Sequence, residues 1–292
     1  MSDYVPKEII EEVNTTPVHP LVNMGNLLAT VAVVGLLVYG SLGFVASQLV
    51  VHIEPQAEEK IGQALTAAFP VKTAEDDSRV TYLTSLLESL ELNMSEGQNA
   101  RPYPPLKVRI LLTPEENAMV TAGSYLFVTD GLLAAVESEN ELAFVLAHEL
   151  GHLHHRDPLK AMGRSLVFVT INAALGIGQS NSALPSVINL AELSYSRRQE
   201  IAADDYAIAQ IIRRYGHGGE SLEFFERNRA FEMGGAIGEV FGTVSEWQQT
   251  HPLSSDRIER LDNQFEENSW EKTGEATPLP KFIECPNFEC PN

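Results

Sequence analysis

The sequence predicts an α+β chain: mainly helical, with a small antiparallel sheet beside one apolar helix and a single transmembrane helix ahead of the folded part. Three observations predict it. Leu27–Val51 runs for 25 residues without a charge. Two short β-prone segments, "LKVRILL" (106–112) and "GSYLFVTDGLL" (123–133), follow one another, bounded by the breaker "RPYPP" and the turn signal Asp130-Gly131. Elsewhere apolar residues recur at helical spacing.

Taken in order, residues 1–26 form a polar tail containing Pro and Glu. Residues 27–51 form the anchor, since at about 1.5 Å per residue they cross a hydrocarbon layer of about 30 Å with some tilt. The tail before them is acidic and the apolar run is long, so a retained span fits better than a cleaved signal peptide. Lys7 and Lys60 are the only nearby cations, which leaves the positive-inside rule almost nothing to count. The expected location is therefore a membrane, crossed once, with the side of the folded part open. Residues 57–268 form the main domain. "EEKIGQALTAAF" and "SRVTYLTSLLESLEL" read as amphipathic helices ahead of the strands. Helical patterns dominate from Glu137 to about Ala230, with Ser165–Ala191 reading as a buried helix and a loop rather than a second span. A last helix starts near Ser255 and carries "DRIERLDNQF". Residues 269–292 form a Pro-containing tail.

Composition narrows the partners. With 44% apolar residues in 292 the chain has a real core, and a formal charge of −20 argues against nucleic acid. Acidity also repels anionic headgroups, so contact with lipid runs through residues 27–51. Cys285 and Cys290 are the only two cysteines; they hold no framework, and either close a small loop or remain thiols.

The segment "LAFVLAHELGHLHHRDPLK" (142–160) carries four of the eight histidines. His148 and His152 stand four apart and so share one helix face, where they can grip one ion. Glu149 lies about 100° around the helix, placed to act on a water rather than to ligate. This is the H-E-x-x-H pattern of zinc hydrolases. Zinc held by two imidazoles and a carboxylate keeps a position for water and acidifies it; Glu149 then takes the proton as a peptide carbonyl is attacked. Gly151 lets another element pack close. His154 and His155 read as solvated helix-end residues beside Arg156-Asp157.

The third ligand separates the possible classes. A third histidine six residues beyond His152 is absent, because Pro158 stands there. In "SYSRRQEIAADDYAIAQ", Glu200 is the alternative ligand, with Asp204 one turn on to orient a ligand imidazole. Alone, that run also reads as a solvated face pairing Glu200 with Arg197 or Arg198; after "HELGH", the ligand reading prevails.

The order of "NAMVTAGSYLFVTDGLL", "HELGHLHHRDP", "SRRQEIAADDYA", "YGHGGESLEFFER" and "HPLSSDRIERL" resembles the zinc metallopeptidases of the HtpX and CAAX-prenyl-protease family, over roughly residues 57–265. These are gluzincins, with a zincin-type domain and a glutamate as third ligand. The resemblance implies one zinc per chain on His148, His152 and Glu200, with Glu149 catalytic and polypeptides as substrates. It implies that His251 and Arg257 lie near the site, and that His251 donates to the carbonyl oxygen of the transition state. Pro252 holds its backbone extended, and Ser254 or Ser255 caps the helix carrying Arg257. It also makes Ser124, Tyr125, Leu126 and Phe127 an edge strand that holds extended substrate by its backbone. With one span and none between the motifs, the chain is similar to single-anchor or soluble members that act in protein quality control. A non-catalytic zinc-containing chaperone is the competing class, and an intact Glu149 argues against it.

Overall fold

A computed structural model describes residues 19–50, 52–67, 78–91, 103–163, 195–227, 251 and 255–283. The readings of residues 1–18, of Ser165–Ala191, of Pro252 and Ser254, and of Cys285 and Cys290 fall outside them.

The first helix, α1 (Pro20–Val50), starts seven residues before the uncharged run, with Pro20 in its first turn. Proline suits that position because its missing N–H would be unsatisfied there anyway. Pro20–Val38 is long and apolar enough to cross a membrane by length and composition, with mean hydropathy 2.1 and none of it buried. Then follow α2 (Pro55–Ala67) and α3 (Ser78–Glu91). The sheet comprises β1 (Lys107–Leu111), β2 (Ala118–Thr121) and β3 (Tyr125–Thr129).

The sheet corrects two expectations. Its order is β1-β3-β2, with β1 parallel and β2 antiparallel to β3, so it is mixed rather than antiparallel. Tyr125–Phe127 therefore belong to the central strand and not to an edge, with Ser124 in the turn before it. The physical reason is visible in the residues. Tyr125–Thr129 is buried at every position, whereas β1 alternates between covered and half-covered; continuous burial marks a strand enclosed on both sides. β2 was not anticipated. It joins β3 through a tight turn in which Gly123 and Ser124 both take positive φ. Asp130-Gly131 opens a helix instead of a turn: Thr129 caps α4 (Asp130–Ala135) by accepting the Leu132 N–H.

The central element is α5 (Glu139–His154), buried along its whole length up to Leu153. Ser138 caps it, accepting from the Glu141 N–H. Leu83, Leu87 and Leu90 of α3, Val108 and Val128 of the sheet, and Phe144 and Leu146 of α5 share one core. Across α5 lies α6 (Arg197–Tyr215), whose N-terminus is closed by the Ser196 N–H donating to Gln199 and whose C-cap is Gly216 in the left-handed region. The two helices touch at Gly151, where an added Cβ would stand 2.8 Å from the Ala203 Cα. The last helix, α7 (Ser255–Glu267), adds Leu261 and Phe265 to the core. Beyond it the chain is irregular but held: Glu139 N–H donates to Thr277 O, Thr277 N–H donates to Asn140 Oδ1, and Ile283 is fully buried. The packed unit thus runs on to Ile283.

Candidate metal centre

Helix geometry puts His148 and His152 on one face of α5, and their Nε2 atoms lie 3.1 Å apart. Glu200, in the first turn of α6, sends its carboxylate between them, 3.5 Å from each Nε2. His251 comes from the segment before α7; its Nδ1 lies 3.2 Å from Glu200 Oε1 and 3.3 Å from His148 Nε2. All four residues are buried, and their four atoms fall within 4.8 Å of one another. Ligand atoms about 2.05 Å from a tetrahedral ion stand about 3.3 Å apart. The separations of 3.1 and 3.3 Å between the imidazole nitrogens, and of 3.2 to 3.5 Å from them to one or other Glu200 oxygen, are of that size. Four acceptors converging in a dry interior are costly unless a cation or a proton sits among them, so the residues present fit a metal ion.

The surrounding groups hold those ligands still. Asp204 Oδ1 is 3.1 Å from His148 Nδ1, and Asp157 Oδ2 is 3.1 Å from His152 Nδ1. Each carboxylate draws the imidazole proton to Nδ1 and leaves Nε2 free to ligate. Arg257 donates two hydrogen bonds to Asp204, of 2.8 and 2.7 Å, and pairs with Glu200 at 2.9 Å. The Tyr195 ring stacks on His152 with centroids 3.9 Å apart.

Electrostatics follow this arrangement. Burial opposes a charge on Glu200, but hydrogen bonds from His148, His152 and His251 outweigh it and hold the carboxyl far below its usual range. Burial likewise opposes a charge on His148, yet Asp204 and Glu200 raise its pKa to about 9. Burial pushes His251 down. Glu149 is pushed up by burial, against the pull of His251 and His148. Its carboxylate is not one of the four converging groups, and its Oε1 lies 3.3 Å from His251 Nε2. The Val120 N–H of β2 faces it without closing a hydrogen bond.

The structure therefore brings His148, Glu149, His152, Glu200, Asp204, His251 and Arg257 into one cluster. It leaves out Ser124, in the turn before β3, and Tyr125–Phe127, which are enclosed between β1 and β2. Four residues at or behind the site were missed. Val120 belongs to the unanticipated strand. Asp157 and Arg156 read only as neighbours of a solvated helix end, but both are buried: α5 stops at His154, and Arg156 at φ 57 turns the chain back so that Asp157 meets His152. Tyr195 had no signal beyond its place ahead of Ser196. His154 and His155 stay outside the cluster; they are half-buried, with His154 stacked on Tyr206.

Comparison with known proteins agrees with this geometry. Residues 82–264 match the model of peptidase family M48. The chain is similar to the mitochondrial metalloendopeptidase OMA1 of Schizosaccharomyces pombe, 28% identical over 53% of this chain and 45% of the relative. It is similar to a protease HtpX homolog of Acidiphilium cryptum, 29% identical over 54% of this chain and 67% of the relative. The metalloprotease YcaL of Escherichia coli is 27% identical over 54% of this chain and 61% of its own. The chain thus spans from under half to about two thirds of these relatives. The family match covers more than half of the 292 residues, from α3 through α7 and across every residue of the cluster: the chain belongs to peptidase family M48.

Proposed function

We propose that the chain is a membrane-tethered, zinc-dependent endopeptidase that hydrolyses polypeptides in protein quality control. One observation carries the reading: Glu149 is a fully buried carboxylate that is not among the four converging ligand residues but sits beside them, 3.3 Å from His251. A purely structural metal site, as in a chaperone of this fold, has no use for such a group.

Two imidazoles and a carboxylate converging in a buried site suit zinc, held one per chain by His148, His152 and Glu200. Bound there, zinc would acidify a water and polarise a peptide carbonyl. Glu149 takes the proton of the attacking water and returns it to the leaving nitrogen. Its upward-shifted pKa makes it a stronger base than an exposed glutamate. Asp204 and Asp157 fix the two imidazoles, and Arg257 offsets the charge of Asp204 and Glu200. His251 Nδ1 lies 3.2 Å from Glu200 Oε1 and 3.3 Å from His148 Nε2, beside the residues that would hold the metal. A ring N–H of His251 would serve as the donor to the carbonyl oxygen under attack.

The edge for substrate moves from β3 to β2. Asn117 exchanges backbone and side-chain hydrogen bonds with Thr129, so by antiparallel alternation residues 117, 119 and 121 face β3 while Ala118 and Val120 face outward. Among the described residues nothing pairs with that outer edge, and Val120 turns it toward Glu149. An extended peptide adds there by backbone hydrogen bonds with little demand on its side chains. The tether is α1, which spans one bilayer.

Glu200→Ala in the full chain, purified in detergent, tests the metal assignment. We expect loss of zinc together with loss of cleavage of an unfolded protein, because two histidines alone make an incomplete site. Full zinc occupancy in that variant contradicts the third-ligand assignment.

A further inference from the structure

Residues 53–62, which follow the anchor, are clamped to the body of the domain. Arg156, two residues past the end of α5, donates to the Ile53 carbonyl at 2.8 Å and to Glu58 Oε2 at 2.8 Å. Both side chains of that ion pair are buried, Arg156 at 8% and Glu58 at 2% exposure. Gly62 lies so close to the β2–β3 turn that an added Cβ would meet the Ala122 carbonyl oxygen at 2.4 Å and the Gly123 Cα at 2.7 Å. Lys107 of β1 pairs with Glu59 at 2.7 Å. The first turns of α2 are thus fixed to the end of α5, to the β2–β3 turn and to β1. Only His52 separates Ile53 from Val51, the last residue of the uncharged run.

This clamp continues to the metal cluster. Arg156 is joined to Asp157, and Asp157 Oδ2 is 3.1 Å from His152 Nδ1. Followed atom by atom, the path from the Ile53 carbonyl to His152 Nε2 measures at most about 23 Å. Adding the two residues back to Val51, the cluster stands within about 30 Å of where the chain leaves the bilayer. An extended polypeptide covers that distance in about ten residues.

We infer that this clamped segment is a ruler, and that the preferred substrates are membrane proteins cut within about ten residues of the bilayer, on the side that carries the domain. The inference rests on the peptidase and anchor readings above and adds the position of the cut. A tethered enzyme also gains from effective concentration toward substrates in the same membrane, but a flexible tether would let the site roam. Here the clamp shortens the free tether to Val51 and His52.

The test places the full-length protein in vesicles with single-span reporters that carry one common cleavable sequence. A polyproline spacer of ten or twenty residues separates that sequence from the reporter's span. Such spacers are stiff and extend about 3.1 Å per residue, so they reach about 31 and 62 Å. We expect the twenty-residue reporter to be cut at least tenfold more slowly than the ten-residue one. Inserting twenty Gly/Ser residues after His52 should bring the two rates within threefold, while cleavage of the same sequence as a soluble peptide stays unchanged. Equal cutting of both reporters by the uninserted protein, with the soluble peptide also cut, overturns the ruler alone. Failure of every form to cut the sequence in detergent overturns the peptidase reading and takes the ruler with it.

Discussion

Replacing Gly151 by alanine tests whether the contact between α5 and α6 sets the metal centre. The new Cβ would lie 2.8 Å from the Ala203 Cα, 3.1 Å from the Ala203 carbonyl oxygen and 3.2 Å from the Tyr206 Cβ. Two of these neighbours are backbone, which no rotamer change can move. Saturated carbons approach to about 3.5 Å, so the helices must part by roughly 0.7 Å. Overpacking against backbone costs toward the upper end of about 1–3 kcal/mol. The alanine recovers about 1 kcal/mol of helix propensity, leaving a net loss of about 2 kcal/mol. The same displacement reaches the cluster, because Glu200 lies one turn before Ala203 on α6 while His148 and His152 ride on α5. Zinc–ligand distances tolerate only about 0.2 Å, so zinc affinity should fall by at least tenfold. The assay is denaturant unfolding of the metal-free chain in detergent, with zinc affinity measured by chelator competition. Unchanged stability with unchanged affinity would refute the claim that this close approach positions Glu200.

Asp157→Asn should weaken zinc binding by about 10–100-fold with little change in fold, as loss of a carboxylate behind a ligand imidazole does elsewhere; equal competition curves would remove Asp157 from the site. In the metal-free protein His148 has its pKa raised from 6.5 to about 9. Its contribution to stability is therefore fully present below about pH 6.5 and is lost as pH rises through about 9. The same proton must leave before His148 can ligate. Zinc uptake at pH 7 should release close to one proton, and apparent affinity should fall about tenfold per pH unit below about 9. Calorimetry in buffers of different ionisation enthalpy measures that count, and a value near zero contradicts it.

Much of the site was legible because its chemistry sits on one helix period. His148, Glu149 and His152 occupy a single turn, and an i,i+4 spacing needs no tertiary information to be placed. Glu200 and Asp204 share the same logic on α6. What escaped depends on where the chain goes after a helix ends. Asp157 reaches His152 only because Arg156 adopts positive φ, a local choice that arginine does not advertise. β2 has only four residues, and Ala118 offers no β signal. The centrality of β3 was written in its unbroken apolar run, which the resemblance to an edge strand overrode. The hold on residues 269–283 comes from the Asn140 side chain on a distant helix, which no periodicity within that segment reveals.

The central claim is that Glu149 moves the proton at a metal centre it does not help to form. Glu149→Gln keeps the size and shape of the side chain and removes only the base. In the full-length protein this variant should hold one zinc per chain, as the parent does, and cleave an unfolded protein at least a hundredfold more slowly, the lower end of what a positioned base contributes. Cleavage at the parent rate with zinc in place would contradict the account.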